Sequence, residues 1–366
     1  MKIGIVGCGN ISGIYFKNLT ELFDNIEVYA CADLDESKVK AAAEKYHIPH
    51  IMTLEEMLLS PEIECILNIT TPMGHYPITK KALLAGKHVY LEKPLSLSYK
   101  EGKELVAIAE EKGLYLGCAP DTFLGAGIET CRALIGEGAI GRPIGGAAYM
   151  MGHGHESWHP DPAFYYDFGG GPLFDMGPYY LTALVRLLGR AESVMAYASR
   201  AYEERVITSK PRCGEVIPVK VDTHHAGIVR FANGALITVC MSFDVWKHEM
   251  PRIELYGTDG SLSVPDPNCF GGPVCLATSE KREYTEQSLL SPYFDNSRGI
   301  GLSEMALAVK EKRPANASGK LALHVLEIME AFCVSAKEGR MIMLESDPGE
   351  AVALDWTAEK GRLKTK

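Results

Sequence analysis

The feature that most constrains the fold stands at the start of the chain. Ile3 to Val6 is a short apolar run. Gly7-Cys8-Gly9-Asn10-Ile11-Ser12-Gly13 follows directly, and a helical pattern then runs through Ile14, Phe16, Leu19 and Leu22. Strand, glycine turn and helix in that order open a dinucleotide-binding βαβ unit. The first glycine permits a tight turn and the second lets the main chain approach a pyrophosphate. The helix start then offers unpaired N–H groups to that anion. Ser12, at the third position of the fingerprint, is small enough for close helix–strand packing.

Such a site wants an acid about twenty residues on, at the end of the second strand. Ile26 to Ala32 reads as that strand and Asp33 ends it. A carboxylate there accepts from ribose hydroxyls and repels a 2′-phosphate, so NAD is expected over NADP. The alternation then continues. Helical patterns over 37–46 and 54–59 precede a buried strand, Cys65 to Ile69, which ends in Thr70-Thr71-Pro72. A helix over Pro77 to Ala85 leads to a strand, His88 to Leu91, which ends in Glu92-Lys93-Pro94. A helix to Lys112 and a strand from Leu114 to Cys118 close the series. Strands separated by helices imply a doubly wound parallel sheet with right-handed crossovers. Both strand-end motifs fall on the edge that carries the glycine turn, where ligands of open α/β sheets bind. Lys93 therefore shares an edge with the cofactor.

The chain has 366 residues, too many for one typical core. The pattern changes after Gly117, so two domains are expected, 1–120 and 121–366. The second opens with a helix over Ile128 to Gly136. An irregular stretch from Gly152 to Phe168 carries His153, His155, Trp158, His159, Asp161, Tyr165 and Tyr166, a composition suited to a ligand lid. A helix after Gly169-Gly170-Gly171-Pro172 places Asp175 and Tyr179 four apart, on one face. Strands dominate from Ser193 on, and Asn233-Gly234 between two of them signals a hairpin. The second domain thus reads as α+β, with an open, mostly antiparallel sheet.

Composition removes several functions. Net charge is −10 with no basic run, which argues against nucleic acid or an anionic membrane as partner. No apolar run approaches the roughly 18 residues of a membrane span. The N-terminus meets glycine too soon for a signal peptide. The ten cysteines are scattered without a Cys-x-x-Cys pair, as in a reduced, cytoplasmic protein without a zinc site. His153 and His155 lack a carboxylate and histidine set at metal-binding spacing, so no metal is expected.

The chain resembles the Gfo/Idh/MocA oxidoreductases, which include glucose–fructose oxidoreductase and inositol dehydrogenase. The resemblance rests on Gly7-Cys8-Gly9-Asn10, Thr71-Pro72-Met73-Gly74-His75, Glu92-Lys93-Pro94 and Gly169 through Gly177. It implies an N-terminal Rossmann domain and hydride transfer between NAD(P) and a hydroxyl carbon of a sugar, glycoside or cyclitol. It also implies dimers or tetramers formed through the open sheet face. The implied cofactor contacts are Gly7, Gly9, Asn10, Ile11, Asp33, Thr70, Thr71, Pro72, His75, Glu92 and Lys93. Lys93 would also touch the substrate hydroxyl and Asp175 would orient it, with Asp121, His155, Trp158 and His159 near the substrate. Where relatives place a proton-accepting histidine, four residues after the aspartate, this chain has Tyr179. A tyrosine near pKa 10 is a poor base at neutral pH unless a cation such as Lys93 lowers it. The acceptor is therefore Tyr179 or a loop histidine, His159 or His155. Two other readings stay open. One is a redox-neutral glycosidase or epimerase working through a transient 3-keto sugar. The other is a non-catalytic sensor.

Overall fold

The structure, a computed structural model, describes residues 1–354. Contacts divide it into two compact units. The first comprises Met1–Ala126 and Leu290–Leu326 together with the described residues from Asp347. The second comprises Gly127–Leu289 and Glu327–Ser346. The division is not the single cut after residue 120 expected from the sequence, because late segments return to the first unit.

The first unit is built on β1 (Lys2–Val6), α1 (Ser12–Glu21), β2 (Glu27–Ala32), α2 (Glu36–Tyr46), β3 (His50–Ile51), α3 (Leu54–Leu59), β4 (Cys65–Asn68), α4 (Pro72–Leu84), β5 (His88–Leu91), α5 (Tyr99–Glu111) and β6 (Leu116–Cys118). The six strands pair in parallel in the order β3-β2-β1-β4-β5-β6. The direction of winding reverses between β1 and β4, which is where such sheets bind ligands. Ile3, Ile5, Cys65, Ile66, Leu67, Val89, Tyr90 and Leu91 are fully buried, as strands covered on both faces require. Helix α4 starts five residues before the expected Pro77. Pro72 takes its first turn, where a missing N–H costs nothing, and Pro77 is carried inside the helix.

The second unit contains α6 (Ala126–Gly136), β7 (Pro143–Met151), α7 (Gly171–Asp175), α8 (Gly177–Leu188), β8 (Ala191–Ser199), β9 (Glu204–Val206), β10 (Val216–Pro218), β11 (His224–Phe231), β12 (Leu236–Ser242), β13 (Ile253–Gly257), β14 (Gly260–Val264), β15 (Cys275–Thr278) and β16 (Thr285–Glu286). Further on come α9 (Ile300–Glu311), which belongs to the first unit, α10 (Gly319–Glu338) and β17 (Ile342–Met343). A nine-stranded sheet runs β16-β15-β14-β13-β7-β12-β11-β8-β17. Only the β7–β12 pair is parallel, so the sheet is mixed and mostly antiparallel. Gly234, with φ of +89°, turns the expected hairpin between β11 and β12.

Alternate residues of β11 and β12 face inward. Val229, Phe231, Ile237, Val239 and Met241 are buried, whereas Ile228 and Leu236 are exposed. Helices α8 and α10 supply partners for the inner face. A Cβ on Gly227 would lie 2.9 Å from the Phe332 ring, so only glycine admits α10 this close. Tyr197, Ile228 and Leu236 leave an apolar outer face. The strand expected from Val219, β11, begins only at His224; just before it the Lys220 amide donates to the Tyr166 carbonyl.

Candidate active site

The cofactor edge of the first unit is built by the glycine turn. Gly7 has φ of +110°, and a Cβ there would meet the Ile69 carbonyl at 2.7 Å. Gly9 is exposed, and its Cβ position faces open space. Ile11 stands at the N-cap of α1 without a side chain able to cap it; the Ser12 amide donates to the Gly9 carbonyl at 3.1 Å, so any anion would be met by the amides after it. Asp33 closes the edge. Its Oδ2 accepts from the Cys8 amide at 2.6 Å and its Oδ1 from the Asp35 amide at 2.8 Å. One lone pair on each oxygen is then left for further donors. Lys38 lies 3.8 Å from Asp35, where its charge is partly answered. Gly7 through Ile11 thus form the turn, and Asp33 reaches it through the Cys8 amide.

Three expected cofactor contacts also have partners within the fold. His75 is 1% exposed, with Nδ1 2.6 Å from the Pro94 carbonyl and Nε2 3.1 Å from that of Thr70. Burial pushes its pKa down and favours the neutral ring, whose single N–H donates to one of the two carbonyls. Glu92 is buried, with Oε1 accepting from Tyr15 and Oε2 from the Lys93 amide. Thr70 donates to Asn68, a buried strut at the end of β4, while Thr71 and Pro72 start α4. Lys93 follows Glu92 at the end of β5, half-buried.

Asp121 departs from the expected substrate contact. It is buried, and its Oδ2 accepts from the amides of Gly299 at 2.8 Å and Gly301 at 3.1 Å, at the start of α9. Burial raises its pKa to about 6.

In the second unit the expected single helix breaks at Met176 into α7 and α8. Pro178 has no N–H to give the Phe174 carbonyl and takes the first turn of α8, which favours the break found there. Asp175 ends α7, and Tyr179, 8% exposed, lies in the first turn of α8. The histidine at Asp175 is His155, with Nε2 3.4 Å from Oδ2. His155 is stacked on Tyr165, with ring centroids 3.7 Å apart and planes 9° apart, and has Phe243 edge-on at 4.7 Å. Its Nδ1 is buried without a hydrogen-bond partner. His159 is one ring further out. Its Nδ1 accepts from the Asp161 amide at 3.1 Å, and its ring meets Tyr165 edge-on at 5.3 Å. Trp158 is mostly exposed.

The sequence pattern did not single out the groups that hold this loop. Glu156 is buried and accepts from Arg205 Nη1 and from the Tyr166 hydroxyl, each at 2.7 Å. Arg205 also donates to the Phe243 carbonyl at 2.8 Å and to Asp244. Its charge and burial push the pKa of nearby His153 down, burial being the larger cause. Arg205 and Glu156 are 49 positions apart, with no motif to link them.

Comparison with known proteins fits these two halves. Residues 1–119 match the model of the oxidoreductase family with an NAD-binding Rossmann fold. Residues 128–263 match the Gfo/Idh/MocA C-terminal domain. The chain belongs to the Gfo/Idh/MocA oxidoreductase family. A scyllo-inositol 2-dehydrogenase (NADP(+)) of Bacillus subtilis is 25% identical, over 94% of this chain and 96% of the relative. An NAD-binding oxidoreductase from Klebsiella pneumoniae has the same fold, with a TM-score of 0.82 and 19% identity over 95% of this chain and 99% of that one. A levoglucosan dehydrogenase solved with NADH and L-sorbose superposes with a TM-score of 0.80, at 20% identity, over 94% and 99% of the two chains. Membership makes the chain an NAD-binding oxidoreductase. No helix among the described residues is long and apolar enough to cross a membrane. No group of three or more His, Cys, Asp or Glu among them could hold a metal ion.

Proposed function

We propose that the protein is an NAD-dependent dehydrogenase that oxidises a secondary hydroxyl of a sugar, glycoside or cyclitol. The observation that carries this reading is the His155–Asp175 pair, 3.4 Å apart, which supplies the proton-accepting imidazole that position 179 lacks. The inositol and levoglucosan dehydrogenases among the relatives point to the same substrate class. NAD bound along the glycine-turn edge supplies the hydride acceptor. Asp33 favours NAD over NADP through its charge. Nδ1 of His155 is buried, so the hydroxyl proton goes to the Nε2–Asp175 side of the pair. Lys93 polarises the reacting oxygen, stabilising the negative charge that develops on it. Tyr179 lines the same short stretch as Asp175 and orients the substrate.

The test is NADH formation with a panel of sugars, glycosides and cyclitols. One NADH per product is expected, lost in Lys93→Ala. His155→Asn should lower kcat by roughly 10²–10⁴-fold with little change in KM. Full activity of Lys93→Ala would overturn the assignment. Glycoside cleavage without net NADH would transfer it to the redox-neutral reaction through a 3-keto sugar.

The apolar outer face of the nine-stranded sheet, with Tyr197, Ile228 and Leu236 exposed, supports assembly as a homodimer or homotetramer. Light scattering of wild type against Ile228→Lys tests it: an unchanged mass would remove this face from the assembly.

A further inference from the structure

The loop that carries His155 presents more aromatic surface than its own packing uses. Trp158 is 62% exposed, Phe164 53% and Phe168 75%. Large apolar side chains in a free loop fold inward to leave water. This loop is fastened from beneath and cannot do so. Glu156 holds Arg205 and Tyr166 through its carboxylate, and its carbonyl receives the amides of Thr208 and Ser209 at 2.9 Å. The Lys220 amide donates to the Tyr166 carbonyl at 2.8 Å. The loop is a braced shelf.

The rings on that shelf adjoin one another. Trp158 lies 5.1 Å from His155, and Phe164 lies 4.0 Å from Tyr165, which itself stacks on His155. The aromatic surface is therefore continuous with the group that pairs with Asp175. A free sugar or cyclitol bears hydroxyls around its rim and leaves only its puckered C–H faces apolar. His155 and Asp175 supply polar partners for that rim, whereas Trp158 and Phe164 offer exposed apolar surface. A phenylalanine can give nothing to a hydroxyl, but it stacks well on another flat ring.

We infer that Trp158 and Phe164 form a second subsite beside Asp175 for a flat apolar ring, so that the substrates are glycosides with an aromatic aglycone. This rests on the dehydrogenase reading above. The sugar is placed at Asp175 and His155, and the aglycone lies along the shelf.

The probes are free glucose, galactose and xylose with their methyl and phenyl glycosides, as both anomers. NADH formation gives KM for each, and calorimetric titration of the NAD-loaded protein gives affinity independently of turnover. A phenyl glycoside should have a KM and Kd about tenfold below its methyl counterpart, equivalent to about 1.4 kcal/mol. In Trp158→Ser/Phe164→Ser, checked for an unchanged melting temperature, the gap should close to within about twofold. Equal affinity for phenyl and methyl glycosides in wild type, or an undiminished gap in the variant, overturns the subsite and leaves the dehydrogenase intact. A smaller particle for the variant in light scattering assigns the shelf to a second copy of the chain and overturns it as well. If phenyl glycosides bind selectively but no polyol yields NADH, the subsite stands and the dehydrogenase reading falls.

Discussion

The hydroxyl of Tyr15 donates to Oε1 of Glu92 at 2.7 Å, across 77 positions of the chain. Tyr15 belongs to the helix that follows the glycine turn, and Glu92 receives the amide of Lys93 on its other oxygen, at 3.0 Å. One buried bond thus joins the helix after the glycine turn to the turn that presents the lysine. Burial, reinforced by Glu92, holds the Tyr15 pKa well above its ordinary value, so the hydroxyl stays a donor.

Tyr15→Phe removes that donor and leaves a buried carboxylate oxygen short of a partner. The expected cost is about 1–3 kcal/mol of stability, read as a shift in the urea midpoint. Because Lys93 loses its anchor, kcat should fall as well. A midpoint unchanged within error would mean that Glu92 finds another partner.

Asp33 should set cofactor choice. Asp33→Asn removes the charge that repels a 2′-phosphate while keeping an oxygen for the Cys8 amide. Fluorescence titration should show NAD binding weakened by about tenfold, or about 1.4 kcal/mol, with the NAD-to-NADP affinity ratio reduced. An unaltered ratio would place discrimination elsewhere.

Asp121 gives stability a pH dependence. Its pKa of about 6 in the fold exceeds that of an unfolded aspartate, so between about pH 4 and 6 the folded chain holds a proton the unfolded chain has lost. Its contribution is fully present below about pH 4 and is lost as pH rises through 6. Across that window the loss amounts to about 3 kcal/mol. Asp121→Asn still accepts from Gly299 and Gly301, so relative to wild type it should gain by up to this amount from pH 4 to pH 7. Parallel stability curves for the two proteins would refute this.

Arg205 fastens the histidine loop. Arg205→Met leaves Glu156 and Asp244 buried without their cation, at a cost of about 3–5 kcal/mol. Arg205→Lys should recover only part, since one ammonium cannot serve Glu156, Asp244 and the Phe243 carbonyl together. Thermal unfolding reads both variants, and a shift of under about 2 °C in Arg205→Met, small against that cost, would show that the loop is held by other groups.

Local spacing was enough to read the strand-turn-helix start, Asp33 at the end of β2, and the strand ends at Thr70 and Lys93. Each depends on residues adjacent in sequence and on a backbone with few ways to satisfy itself. The hairpin at Gly234 was legible for the same reason. Sequence did not reveal that Asp121 faces α9 or that His75 is a strut, because each is decided by carbonyls and amides brought in from elsewhere in the fold. It also joined α7 and α8 into one helix, although Pro178 was in plain view.

The sequence by itself determined the family, the parallel sheet and the edge on which a dinucleotide would lie. Only the tertiary structure decided which histidine stands at Asp175. His155 reaches it because Glu156, the next residue, is gripped by Arg205 and Tyr166. A buried charge must find its counter-charge wherever the fold brings one, and no periodicity in the chain records that partner.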